Sequence, residues 1–561
     1  MDHPGRLDAG LPGVPSHGAN LGTGERLRAA VLDPNLGGLD VFLPGEWLSD
    51  RETLGNIAAR VLSPAFRGTG RLAFHAVEHA ARVLSDGVPR ILIAGDPEDY
   101  PAVRHLRDRF ATAPTAIVVL THGLGHRGCH EALERLRGAC PGPDVIVCLS
   151  RALETALRRG HPWVDSDRAP FRLARVGNGV ETVRFAPTAA PSKRALRAKF
   201  GIPPSAVVGI VQGRLTARGK ADLLPVVDAF AAIQPSGGER LWFVGDSHPP
   251  GYAESVMAYA ERLGIGGRIL HTPAVPMEQR HEPLAASDFL ILPSDTVQEA
   301  HPNIVGEAMA TGLPILASHW DGLTDWIDHD VEGLLVPTWS APIPERLEGA
   351  VAWHAPTTHY LFAAAGVVVD PVALRSGLAK LYRDRELRLR LGAAARRRAQ
   401  SMPWSDIHRQ WMGEAKRSLD DAFAEHSTVR EQRRVEARAR AGFPAEGAFD
   451  HYASIPPTDW RSRRVRATET GRGVLAGSVA FPLDDALVPA LIPEILQAWF
   501  TVLDDGSGLG HTVDGAAAEV SHRAGRSIDE VLWHLAVLSK HGLTVVESGG
   551  EPANQGTQRC V

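Results

Sequence analysis

The sequence predicts an α/β chain of two doubly wound domains facing a cleft, followed by a small, mainly helical C-terminal domain. Three observations carry this expectation. Short, continuously apolar, β-branched runs alternate with helical or loop segments, the pattern of parallel strands covered on both faces. A Pro-containing link, FAPTAAPSKRAL, divides these runs into two series of the same kind. Beyond about residue 425 the texture changes, first to a charged stretch and then to helices of amphipathic spacing.

The first series reads as strands at LDVFLPG (39–45), RILIAGD (90–96), AIVVLTHG (116–123), DVIVCLS (144–150) and LARVGNGV (173–180). Between the first two, a turn at Arg67 to Gly70 is followed by a helical run carrying Leu72, Val77, Ala80 and Ala81. The second series reads as VVGIVQG (207–213), RLWFVGD (240–246), GRILHTP (267–273), DFLILPS (288–294), LPILAS (313–318) and GLLVP (333–337), with helix-forming sequence from Val372 to about Ala424. The expected division is a disordered leader at 1–24, an N-terminal domain at 25–187, a second domain at 188–400, a returning helix at 401–425, a basic linker at 426–474 and a terminal domain at 475–561.

In the terminal segment, Ser527 and Glu530 form a capping box before SIDEVLWHLAVLSKHG, and Gly542 closes the helix. An earlier helix near 513–523 and the strand LTVVE give a winged-helix-like order. Residues 475–561 hold 11 acidic and 4 basic side chains, a net of −7, so phosphate contact is disfavoured and a role in protein interaction or packing is expected.

Composition excludes several classes. With 44% hydrophobic and 22% charged residues the chain is of ordinary globular type, and no run of about 18 apolar residues suggests a membrane span. The Gly- and Pro-rich start lacks the apolar core of a signal peptide, so a cytoplasmic location is expected. A net charge of −5 gives no general attraction to nucleic acid. Cys129, Cys140, Cys148 and Cys560 form no CxxC pair and no metal-ligand spacing.

Two constellations can carry chemistry. In LPSDTVQEAHPNIVGEAMATG, Pro302 suits a helix start, the helix runs from Asn303 to about Thr311, and Gly312 stops it. The free amides of Asn303 and Ile304 then make an anion site, bracketed by Glu299 before the helix and Glu307 one turn inside it. In VQGRLTARGKADLL, Arg214 and Lys220 follow a buried strand and suit a diphosphate. A P-loop is excluded, because five residues separate Gly213 from Gly219 and Ala221 stands where Ser or Thr would bind magnesium.

The order GRLxxxxxK, VGD, LPS, ExxxxxxxE, GLPILAS, DGLTDWI and GLLVP resembles the nucleotide-sugar domain of the retaining glycosyltransferases of family four, which have the GT-B architecture of two Rossmann-like domains. RVGNGVETVRFAP is similar to the family's inter-domain segment, and DRELRLRLGAAARRRAQSMPWSDIHRQW to its C-terminal helices, the last of which crosses back to the first domain. The resemblance covers about residues 115–415.

The resemblance implies a sugar donor carrying a nucleoside diphosphate, no metal or other cofactor, and an acceptor that is a glycan, a lipid or a small molecule. Arg214 and Lys220, with the amides of Asn303 and Ile304, would hold the diphosphate as it leaves. Glu307 would accept from the ribose hydroxyls and Glu299 from the sugar. His122 would sit beside the sugar near the reaction centre. The turn containing Gly68 and Gly70 would replace the family's Gly-rich loop, with Gly37–Gly38 as its rival. Transfer would proceed with retention, so the glutamates bind rather than act as a hydrolase pair. Two departures stand out: Ala221 follows Lys220 where glycine is usual, and residues 337–367 form an insertion. The alternative is a non-catalytic scaffold whose C-terminal domain engages a protein partner.

Overall fold

The computed structural model describes residues 24–26, 30, 33–43, 72–76, 80–347 and 358–425, except for 126, 167–168, 218, 234–236 and 298, and then 457–476, 491–504 and 511–547. The leader and the turn with Gly68 and Gly70 lie outside the described residues, apart from residue 24.

Two strands, β1 (Leu39–Leu43) and β2 (Leu72–Ala76), pair in parallel as a separate ribbon. The helical reading is corrected at Leu72, which lies in β2: five residues are too few to show a period, and pairing with β1 decides them as strand, whereas Ala80 and Ala81 lie in a helix, Ala80–Leu84, as expected, and Val77 lies outside the described residues. Phe42 and His75 meet across the pair, and His75 Nε2 lies 2.8 Å from Asp40 Oδ1. Gly37 and Gly38 precede β1, at its amino end.

The main sheet of the first domain is β3 (Arg90–Ala94), β4 (Thr115–Thr121), β5 (Asp144–Cys148) and β6 (Phe171–Arg175), all parallel in that order. Every residue of β4 and β5 is buried, as expected for strands covered on both faces.

The second domain holds β7 (Val207–Gln212), β8 (Glu239–Val244), β9 (Ile269–Thr272), β10 (Phe289–Leu292), β11 (Ile315–Ser318) and β12 (Gly333–Val336). Their spatial order is β12-β11-β10-β7-β8-β9, all parallel. The chain thus winds outward from β7 in one direction, then returns to β10 and winds in the other. The crevice at the carboxyl ends of β7 and β10 is the topological switch point where such sheets bind ligands.

Helix α1 (Asn303–Thr311) follows β10, with Pro302 extended just before it and Gly312 left-handed at φ 84° just after. Helix α2 (Arg385–Gln400) packs Ala395 and Ala399 into the cluster holding Val305, Ala308 and Met309 of α1. Helix α3 (Trp404–Ala424) crosses to the first domain, where Ile407, Trp411, Met412 and Ala415 pack on Val118, Leu120, Val145 and Val147. Lys416 adds an ion pair to Asp33 at 2.7 Å. No helix among the described residues is long and apolar enough to cross a membrane.

The insertion carries β13 (Thr338–Ser340) and β14 (Val367–Val369), which pair antiparallel. The C-terminal module follows, with β15 (Arg464–Ala467), α4 (Pro493–Leu503), β16 (His511–Thr512), α5 (Val513–Ala524), α6 (Ile528–Lys540) and β17 (Thr544–Val546). Its sheet order is β16-β15-β17. Since β15 is the central strand, residues 464–467 belong to this unit, not to the linker drawn as 426–474. The Ser527 hydroxyl accepts from the Glu530 amide at 3.3 Å, so Ser527 caps α6 as expected, while the Glu530 carboxylate pairs with Arg346 at 2.6 Å.

Candidate active site

The backbone brings the switch point together before any side chain acts. Gly213, just after β7, donates to the Val244 carbonyl, while Gly245, just after β8, donates to that of Thr272. Gly245 adopts φ +148°, and a Cβ there would fall on the Gly213 carbonyl oxygen. Glycine is therefore required at 245, where the end of β8 passes against the turn from β7 to Arg214. Arg214 is exposed at this end and makes no ion pair among the described residues.

Lys220 and Glu299 form a direct ion pair, with the Glu299 side chain 2% exposed and that of Lys220 34% exposed. The sequence reading gave them separate duties, one to the diphosphate and one to the sugar. The structure places them in contact at the switch point, one from the loop after β7 and one from the loop after β10. The Lys220 carbonyl accepts from the Ser294 hydroxyl at 2.8 Å, which ties the two loops together.

Helix α1 begins where expected, four residues after Glu299. Its first residue is fixed from the inter-domain segment: Asn178 Nδ2 donates to Asn303 Oδ1 at 2.9 Å and to the His301 carbonyl at 3.2 Å. The Asn178 amide donates to His301 Nδ1 at 3.2 Å. Burial, with the Arg26 guanidinium nearby, pushes His301 down to about 3, so the ring is a neutral acceptor. It lies 4.3 Å from the Trp326 ring between centroids.

Glu307 faces the same crevice wall one turn later. It accepts from Arg280 Nη2 at 2.9 Å, and burial raises its carboxyl despite Arg280 and Arg184. Asp321, at φ 46° after β11, is almost wholly buried, and burial followed by the charge of Glu299 holds it well above the usual carboxylate range.

His122 stands directly after β4, half-buried at the carboxyl end of the first sheet. Two residues on, Leu124 shares one apolar cluster with Val297, Ala300 and Trp320 of the second domain. The loops bearing His122 and Glu299 therefore meet across the domain boundary. Among the described residues no group of His, Cys, Asp and Glu is arranged to hold a metal ion.

Sequence reasoning missed Asn178, His301, Arg280 and Asp321. Asn178, His301 and Asp321 sit inside quoted motifs, so the signal was present. Arg280 reaches the site only through tertiary packing.

Three comparisons bear on this arrangement. The sequence model of the family described as Glycosyl transferases group 1 matches residues 207–349, the stretch from β7 into the first part of the insertion. A D-inositol 3-phosphate glycosyltransferase of Segniliparus rotundus is 31% identical over 343 residues, covering 61% of this chain and 68% of that protein. A protein of the same name from Streptomyces griseus is 30% identical over 268 residues, and the chain spans about half of its length, 48%. Among solved structures, Anabaena HepE in complex with UDP and glucose aligns over 72% of this chain and 96% of that one, at 16% identity and a TM-score of 0.50. A glycosyltransferase from Rickettsia africae aligns over 71% and 95%, at 14% identity and the same TM-score. These two likenesses are of fold. With a switch-point crevice in the matched stretch and a relative covered over two thirds of its length, the chain belongs to the glycosyl transferases group 1 family and is a glycosyltransferase of GT-B fold.

Proposed function

We propose that the chain transfers a hexosyl group from a nucleoside diphosphate sugar to an acceptor with retention of configuration, and that it works in the cytoplasm. The observation that carries the reading is the Lys220–Glu299 pair at the carboxyl ends of β7 and β10, with Arg214 on the same loop after β7 and α1 opening four residues after Glu299. A diphosphate laid there meets two cations and the first amides of α1, those of Asn303 and Ile304. As the sugar–oxygen bond breaks, charge grows on the diphosphate and these groups take it up, so the step is written without a metal. On donor entry Lys220 turns from Glu299 toward phosphate, and the freed carboxylate accepts from sugar hydroxyls. Glu307 accepts from the ribose. His122 lines the sugar from the opposite domain. Retention requires attack from the face the diphosphate leaves, the departing phosphate taking the acceptor's proton.

The relatives' names make D-inositol 3-phosphate the first acceptor to try. The test is release of free nucleoside diphosphate from a panel of nucleotide sugars, with and without that acceptor, by wild type and Arg214→Ala. Turnover with one donor, and weakened nucleoside diphosphate binding in the variant, support the reading. No binding and no turnover with any donor favour the scaffold, whose C-terminal module would then serve a protein partner. Unchanged diphosphate affinity in Arg214→Ala removes the role given to that residue.

A further inference from the structure

The C-terminal module lies outside the stretch that resembles the family, yet its last helix ends on the candidate site. At the end of α6, Lys540 Nζ pairs with Asp295 Oδ2 at 2.7 Å and His541 Nδ1 with Asp222 Oδ2 at 3.0 Å. All four residues are at most 5% exposed. Asp222 lies two residues after Lys220, and Asp295 lies four before Glu299. The Asp295 carboxylate also accepts from the Asp222 amide at 3.2 Å, so the two loops and the helix end form one knot behind the Lys220–Glu299 pair.

The module is held there by the insertion. Trp339 of β13 stacks on Trp460 with centroids 4.6 Å apart, Trp533 Nε1 donates to the Phe362 carbonyl at 3.3 Å, and Lys540 Nζ donates to that of Ala364 at 2.8 Å. Insertion and module share a single apolar core. Burying four ionisable groups is a poor route to stability, since apolar side chains of similar volume often do better. Their value is in fixing where the loops stand. Consistent with that, burial would raise the Asp222 carboxyl, but His541 and Lys540 together hold it down to about 2.

We infer that Lys540 and His541 are positioning residues for donor binding: by gripping Asp295 and Asp222 they set the separation of Lys220 and Glu299, making the module a working part of the donor site. This rests on the donor-site reading above.

The test uses the full-length chain carrying Lys540→Met, Lys540→Arg or His541→Gln, together with Lys220→Met alone and combined with Lys540→Met. Donor and acceptor KM and kcat are measured once a cooperative melt shows each variant folded. Lys540→Met is expected to raise the donor KM about ten-fold or more, as supporting-shell losses commonly do, and to leave the acceptor KM unchanged. Lys540→Arg should recover most of the loss. In the Lys220→Met background, Lys540→Met should add less than two-fold, because it acts through the side chain already removed. The inference is overturned by a folded Lys540→Met whose donor KM stays within two-fold, by equal changes in donor and acceptor KM, or by full additivity with Lys220→Met. If Lys540→Met does not fold, His541→Gln is read by the same criteria. A wild type that turns over no donor sinks the donor-site reading and this inference with it, whereas an active wild type with an unchanged Lys540→Met sinks this inference alone.

Discussion

Replacing Glu307 by glutamine changes one charge and almost no volume at a position whose surroundings are well defined. The carboxylate accepts from Arg280 Nη2 at 2.9 Å, and the side chains of the two partners are 10% and 20% exposed. Burial already disfavours the ionised form, so the folded chain tolerates a neutral amide there. Glutamine keeps an oxygen for Arg280, and the stability loss is therefore expected near 1 kcal/mol, well below the 3–5 kcal/mol of stranding a fully buried charge. Binding should suffer more. A charged acceptor's hydrogen bonds to a ribose contribute about 1.5–3 kcal/mol, which corresponds to a donor KM raised about ten- to a hundred-fold. The assay is nucleoside diphosphate release against donor concentration, with a thermal melt of the same sample. A folded Glu307→Gln with a donor KM within two-fold of wild type would refute the reasoning.

Two further predictions follow from the same region. Gly245→Ala should cost at least about 2 kcal/mol, since φ +148° strains any side chain and the new Cβ meets the Gly213 carbonyl; a melting temperature equal to wild type in chemical or thermal unfolding contradicts this. Asp228 accepts from the Tyr259 hydroxyl at 2.6 Å, and burial pushes its carboxyl up to about 6, although that hydrogen bond opposes the shift. Between about pH 4 and 6 the folded chain thus holds a proton that the unfolded chain has released, and stability falls as pH rises through that window. Asp228→Asn removes the penalty, so its stabilisation should be larger at pH 7.5, by about 2 kcal/mol, than at pH 4.5; equal shifts at both values tell against it.

The sequence was legible where periodicity and turn chemistry agree. Five strands of the second domain lie within their apolar runs, the sixth, β8, starts one residue early at Glu239, and α1 ends at the glycine expected to stop it. It was illegible where tertiary pairing decides. The five residues from Leu72 to Ala76 suit helix or strand equally, and only β1 settles them. The Lys220–Glu299 contact was unreadable for the same reason: 79 residues separate them, and the strand order brings them together. The insertion could be seen only as a departure from a pattern. Its Trp339, Phe362 and Ala365 turn out to complete the core of the C-terminal module, so its apolar content was directed at a partner element far along the chain. The charged stretch before that module was read as linker because β15, Arg464–Ala467, alternates arginine with apolar residues over only four positions.

The central claim is that a diphosphate lies between Arg214, Lys220 and the first turn of α1. The most direct measurement is a crystal structure of the wild type with a nucleoside diphosphate bound. The account predicts phosphate oxygens within hydrogen-bonding distance of both side chains and of the Asn303 and Ile304 amides, with Lys220 drawn off Glu299 and the ribose on Glu307. A nucleotide bound elsewhere, with the Lys220–Glu299 pair intact, contradicts it.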